Sequence, residues 1–246
     1  MPALVPDPRR ALEALELLRE GHLDTLRYAV LGALLGLDVV SFPQAMVSRP
    51  IVAATLAGAL AGEAGRGLVA GAVLELVALE TLPVGASRYP EWGSAAVVGG
   101  TLYALHPEGA AGALVLAVTC ALATAFVGGE SMVLLRRLNG QLARAQAPAL
   151  RVGSRRSIGM LQLAGVGLDL LRGFALTVLA LQLSLPLLAS QIGHWGVDAR
   201  LSRAVVVGVA ATVAGSAVWK LFHTVPRARV LFAAGIAVGL ARLAFR

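Results

Sequence analysis

The sequence predicts an all-α polytopic membrane protein that combines transmembrane helices with broken or re-entrant helical hairpins. Three observations carry this. Of the 246 residues 57% are hydrophobic and 14% charged, with a mean hydropathy of +0.77, a balance suited to lipid rather than to a water-soluble domain. The apolar residues gather into long runs from about residue 28 onward, and one of them, 50–62, is too short to cross a bilayer alone. Aromatics make up only 5% while 28 residues are glycine, so the helices are expected to approach closely through small side chains.

Residues 1–27, MPALVPDPRRALEALELLREGHLDTLR, lack the apolar core of a signal peptide and are expected to remain in place. Within them Leu12, Leu15, Leu17 and Leu18 lie among Glu13, Glu16, Arg19 and Glu20, the pattern of a short amphipathic arm for the membrane interface or for a partner. The membrane-embedded domain then occupies 28–246. Its first run, 28–47, is long enough to enter or cross the bilayer but carries Asp38, Ser41, Pro43 and Gln44. Asp38 and Gln44 supply hydrogen-bond acceptors and donors, and Pro43 frees a backbone carbonyl, which together suit a polar pocket. Gly32 with Gly36, and Gly58 with Gly62, have the spacing of helix-packing ridges.

Residues 48–91 form the centre of the chain. The runs 50–62 and 67–84 are separated by a few residues, and the first would be only about 20 Å long as a helix against a hydrocarbon core of about 30 Å. Short, glycine- or proline-interrupted apolar segments at membrane depth point to a transport site, because broken backbone is tolerated there only beside protein or a water-filled cavity. Glu75 and Glu80 fall in the second run, and Pro83 breaks its exit. A carboxylate at that depth costs about 2.5–3.5 kcal/mol on the insertion scale and so faces a partner, a cavity or a ligand. Five positions separate the two acids, about 140° round a helix, so they cannot share one face. Glu75 is the functional candidate; the structural alternative is that each acid is bonded to backbone or to Arg66 or Arg88.

The remaining runs are 93–105; 108–135, a span with a bent end at Gly128, Gly129 and Glu130; 157–190, too long for one straight span and holding Asp169, Arg172 and Pro186; and 204–222 and 228–245. Asp169 and Arg172, three apart, can neutralise each other on one helix face, a structural pair. Residues 191–203, with Trp195, read as an interfacial loop. The stretch 136–156 carries Arg136, Arg137, Arg144, Arg151, Arg155 and Arg156 with no acid, and by the positive-inside rule is a cytoplasmic arginine-rich loop.

Charge divides the chain: residues 1–135 hold 7 basic and 12 acidic side chains, residues 136–246 hold 14 and 2. The basic residues punctuate apolar runs instead of forming a patch interleaved with aromatics, so nucleic acid is not the expected partner. Cys120 is the single cysteine and lies in an apolar run, which leaves no intrachain disulfide or thiolate metal site. His22, His106, His194 and His223 are scattered without HExxH spacing, and no P-loop is present. Neither metal, cofactor nor catalytic nucleophile is called for, and an intramembrane enzyme is a poor reading.

The segment LLGLDVVSFPQAMVSRPIVAATLAGALAGEAGRGLVAGAVLELVALETLPVGA resembles the IIC subunit of the mannose/fructose/sorbose family of bacterial sugar phosphotransferase systems. The family's Asp and Gln before an Arg-Pro are matched by Asp38, Gln44, Arg49 and Pro50. Its Leu-Glu-Leu followed by Gly-Ala is matched by Leu74, Glu75, Leu76, Gly85 and Ala86, while Pro90-Glu91 stands where Pro-Asp is usual. RRLNGQLARAQ and the later LLRGFALT look like the family's basic loop and following helix, so the resemblance covers roughly 28–246. It implies a multi-pass permease subunit of the bacterial cytoplasmic membrane, of the elevator type, oligomeric, working with a IID membrane subunit and cytosolic IIB and IIA components. A mobile core would carry a hexose-type sugar across for phosphorylation by IIB. The resemblance places sugar contacts at Asp38, Gln44 and Glu75, with the Gly85–Ala86 backbone and Glu91 beside them. The alternative, prompted by Arg88 and the N-terminal segment, is a transport-deficient membrane scaffold or sensor for phosphotransferase proteins.

Overall fold

The computed structural model describes residues 22–39, 41, 43–81, 88–106, 112–192 and 196–244. Residues 1–21 of the N-terminal arm, with Pro83, Gly85, Ala86 and Trp195, lie outside the described residues, while residues 22–27 belong to the first helix. Those that are described form helices α1 (His22–Asp38), α2 (Pro50–Leu60), α3 (Ala64–Ala78), α4 (Trp92–Ala104), α5 (Ala113–Ala145), α6 (Ala147–Arg151), α7 (Arg155–Ile192), α8 (Ala199–Phe222) and α9 (Ala228–Ala244), with no strand among them. Of these, α5, α7 and α8 are long and apolar enough to cross a membrane; the core of the molecule is built from shorter pieces.

At its centre stands α4, WGSAAVVGGTLYA, whose residues from Gly93 to Leu102 are all buried. A helix apolar on every side belongs inside a bundle, and α4 is ringed by α1, α2, α3, α5 and α7. Small residues make this possible. A Cβ on Gly100 would stand 2.7 Å from Ala54 Cα of α2, and one on Gly93 would stand 2.7 Å from the Leu35 carbonyl carbon of α1. Arg66 of α3 donates to the Ala104 carbonyl at 3.4 Å and to that of His106, placing a cation at the C-terminus of α4, where the helix dipole favours one.

The two short runs fold back on each other as α2 and α3, forming the expected hairpin. Pro50 opens α2 at a position where a missing N–H costs nothing, and Gly62, with φ +80°, makes the turn. Gly58 packs against Gly67, its missing Cβ replaced by the Gly67 Cα 2.7 Å away. The paired spacing of Gly58 and Gly62 is therefore not one ridge: the first packs and the second turns.

Four other expectations are corrected. The first run stops being helical at Asp38, before Pro43, so α1 does not extend across 28–47. The run is not interrupted at Gly128–Glu130: α5 continues through 33 residues, and the two glycines let the extended segment Tyr89–Glu91 cross it, with the Tyr89 carbonyl oxygen 2.5 Å from the Cβ position of Gly129. The arginine-rich stretch is largely helical, α5 carrying Arg136, Arg137 and Arg144 and α6 ending at Arg151. Finally α7 is one helix of 38 residues with Pro186 inside it, about 57 Å long, so it projects beyond a bilayer core instead of breaking within it.

After it, Asp198 caps α8 by accepting from the Arg200 and Leu201 amides at 2.9 and 3.3 Å, which shortens the expected interfacial loop. Trp219 of α8 meets Phe232 of α9 edge-on at 5.7 Å. Much of the surface of α7 and α8 is uncovered apolar side chain, including Leu179, Leu183, Leu201 and Val209.

Candidate functional site

The site grows from the C-terminal end of α1. Asp38 is 2% exposed, and the loop that follows it curls back over the carboxylate. Its Oδ1 accepts from the Ala45 amide at 2.6 Å, and its Oδ2 from the Ser48 amide at 2.9 Å and the Ser48 hydroxyl at 2.8 Å. The wrap demands unusual backbone: Gln44 and Met46 adopt φ of 59° and 62°, the left-handed region that side-chain-bearing residues rarely enter. Conformations that cost about 1–3 kcal/mol each persist only where surrounding contacts enforce them, and they gather at binding sites. Here three hydrogen bonds to one buried carboxylate do the enforcing. Gln44 lies at the exposed side of this loop.

The next residue after Ser48 connects the loop to Glu75. Arg49 Nη2 pairs with Glu75 Oε1, and Glu75 Oε2 accepts from the Ile51 amide at 3.2 Å, so this acid both neutralises Arg49 and caps the start of α2. Glu75 therefore does not stand open against Asp38. The two acids are joined through adjacent residues, Ser48 holding one and Arg49 the other. The arginine partner is neither Arg66, which caps α4, nor Arg88, which pairs with Glu130 at 2.9 Å on the surface with the two side chains 66% and 58% exposed. Glu80, on a different face, pairs with Lys220 of α8.

On the inner side of the loop a second polar cluster assembles from four elements. Ser41 donates to Asp169 Oδ2 at 2.6 Å, while Arg172 Nε donates to Asp169 Oδ1 at 2.9 Å and Arg172 Nη1 to the Ser131 hydroxyl at 3.3 Å. Asp169 is 1% exposed and the Arg172 side chain 9%. Beside them sits Glu91, also 1% exposed. Its backbone N–H donates to the Ala125 carbonyl of α5 at 2.9 Å and its Oε1 caps α4 by accepting from the Ser94 amide at 3.1 Å; its Oε2 has no hydrogen-bond partner among the described residues. Gly36 is the floor of this cluster: a Cβ there would lie 3.0 Å from Ser94 Oγ and 3.6 Å from both Arg172 Nη2 and Glu91 Oε1.

Of the residues singled out in the sequence, the structure thus brings Asp38, Gln44 and Glu75 to one loop and its anchor, and sets Glu91 in the neighbouring buried cluster. Sequence reading missed Ser48 and Ser131 as members, and named Ser41 and Arg49 without giving either a contact. Arg49 alone carried a signal, since a cation entering an apolar run needs an acid, and Glu75 was the acid in reach. Asp169 with Arg172 was legible as a helical pair, but its connection to Ser41 and proximity to Glu91 arise only in the fold. Among the described residues no group of His, Cys, Asp and Glu is placed to hold a metal ion.

Comparison with known proteins adds three findings. No curated protein matches the chain significantly. A solved chain described as "Structure of membrane protein" superimposes with a TM-score of 0.69 over 91% of this chain and 91% of its own, at 17% identity, which shows a shared fold. The profile of the family described as PTS system sorbose-specific IIC component matches residues 24–198, a stretch that includes every residue of both clusters. With its helical membrane fold, this chain belongs to the sorbose-type IIC family of phosphotransferase-system membrane components.

Proposed function

We propose that the chain is the sugar-translocating subunit of a mannose-family phosphotransferase system in a bacterial cytoplasmic membrane, moving a hexose-type sugar inward for phosphorylation by a IIB partner. The observation that carries the reading is the single loop between α1 and α2, which takes its shape from Asp38 at one end and anchors Glu75 through Arg49 at the other. A sugar presents several hydroxyls that both donate and accept. Asp38 and Glu75 carboxylates retain lone pairs beyond those used, Gln44 can give and take, and Arg49 donates. Leaving such a group unpaired costs about 1–3 kcal/mol, so a fixed set of them discriminates between hydroxyl patterns. The Gly85–Ala86 backbone and Glu91 complete the set we assign.

The family sets this subunit in a system with IID, IIB and IIA components. We assign IID and lipid to the bare apolar faces of α7 and α8, and the arginine-bearing end of α5, α6 and α7 to the cytoplasmic side, where IIB would dock. The movement we favour is of the elevator type, the α1–α4 unit travelling with its sugar against the long helices. Arg88 points to the surface and so does not fill the cluster around Glu91, which removes one motive for a transport-deficient scaffold.

Reconstitution with IID, IIA and IIB and a panel of labelled hexoses tests the reading. Wild-type complex is expected to take up at least one sugar, and Glu75→Gln to lose uptake at least tenfold while inserting normally. Undiminished uptake by that variant would remove Glu75 from the mechanism.

A further inference from the structure

Beyond the Asp38 loop, the polar chain continues toward the arginine-bearing end. On α7, Gln162, Gly165, Asp169 and Arg172 recur at intervals of three and four and so share one face. On α5 the facing row is Gly128, Ser131, Leu135 and Asn139. The two rows meet antiparallel: Arg172 donates to Ser131 at 3.3 Å near one end, and a Cβ on Gly165 would lie 3.6 Å from Asn139 Nδ2 near the other. Between the helices at that second end lies a cavity of about 310 Å³, lined by Ser41, Asn139, Leu142, Leu161, Gln162 and Gly165 among others.

Three features give this cavity chemistry. Its size falls at the lower end of the range of small-ligand pockets. Its polar lining is two carboxamides and a hydroxyl, with no charged group, so it suits a neutral solute rich in hydroxyls rather than an ion. Asn139 Oδ1 is shielded from solvent and has no partner among the described residues, an acceptor whose unmet bond costs about 1–3 kcal/mol until a donor arrives. Ser41 closes the link: this residue lines the cavity and its hydroxyl donates to Asp169 at 2.6 Å, so the cavity begins where the buried cluster ends.

We propose that the α5–α7 cavity is a second station for a neutral polyhydroxy solute, occupied between its release from the Asp38 loop and its exit at the arginine-bearing end. This rests on the permease reading above. The station holds the solute by the Asn139 and Gln162 carboxamides against an apolar wall. Ser41, shared with Asp169, marks the passage between the two.

The test uses the complete reconstituted complex with radiolabelled sorbose, mannose and fructose. Two independent variants address the cavity: Asn139→Leu with Gln162→Leu removes its hydrogen bonding at similar size, and Gly165→Leu fills it. Each is expected to lower the uptake rate at least tenfold while equilibrium binding of the sugar stays within threefold of wild type. Gly159→Ala, outside the cavity and with nothing within 4 Å of the added methyl, keeps wild-type uptake. Either informative variant suffices should the other fail to insert. Uptake within twofold of wild type, or loss of binding together with uptake, would overturn the second station while leaving the permease reading intact. A wild-type complex that neither binds nor moves any of the sugars would instead overturn the permease reading, and the station with it.

Discussion

Removing Arg172 should cost more than removing Asp169, although the two form a single ion pair. The pair lies almost entirely out of solvent, and Glu91, 1% exposed, is a second buried carboxyl group that borders Gly36 together with the guanidinium. Arg172→Leu strands two carboxylates: Asp169 keeps only the Ser41 hydroxyl, and Glu91 keeps only the Ser94 amide among the contacts described above. Breaking a buried pair by removing one member costs about 3–5 kcal/mol, and this change should reach the upper end. Asp169→Leu leaves the guanidinium bonded to Ser131, with the Glu91 carboxyl group across Gly36 as a polar neighbour. Its cost should therefore be lower, about 2–3 kcal/mol, chiefly the loss of charge-assisted hydrogen bonds. Combining the two should cost less than their sum, with a coupling of about 1–3 kcal/mol, because neither stranded partner remains opposite its gap. Reversible unfolding of the purified protein in mixed detergent and SDS micelles, followed by far-UV circular dichroism, measures all three. Equal single-variant costs, a reversed order or strict additivity would refute the claim that Arg172 serves two acids.

Ser48→Ala removes one of the three donors on Asp38 and should lower stability by about 1–2 kcal/mol in the same unfolding assay, while weakening sugar uptake through a loosened loop. Gly129→Val should prevent stable folding, since the Tyr89 carbonyl occupies the space of its side chain; Gly159→Ala, with nothing within 4 Å of the added methyl, should be neutral or stabilising by up to about 1 kcal/mol, and thermal stability in detergent compares them. Asp198→Ala should cost about 1 kcal/mol by uncapping α8, visible as a lower unfolding midpoint. Lys220→Ala should lower stability by about 1 kcal/mol, because the ammonium is 64% exposed while the Glu80 side chain that loses it is only 27% exposed; a larger loss would mean that α8 is held to the segment after α3 mainly by that contact.

Composition and apolar run length determine that this chain is a helical membrane protein, because a bilayer admits few other ways to satisfy the backbone. They also mark the α2–α3 hairpin, since a run of about 20 Å cannot cross and must return. Asp38 and Glu75 announce themselves as acids at membrane depth, and Asp169 with Arg172 as neighbours on one helix face. What lay beyond the sequence was which acid meets which base. Arg49 reaches Glu75 only because α2 folds back along α3, and Ser41 reaches Asp169 across 128 positions of chain. Gly128 and Gly129 read as a break when taken alone, yet α5 continues through them and they admit Tyr89–Glu91 across it. A glycine states that something comes close, and the tertiary structure alone decides what. Long-range polar pairing follows from how helices are brought together, and local spacing carries no record of it.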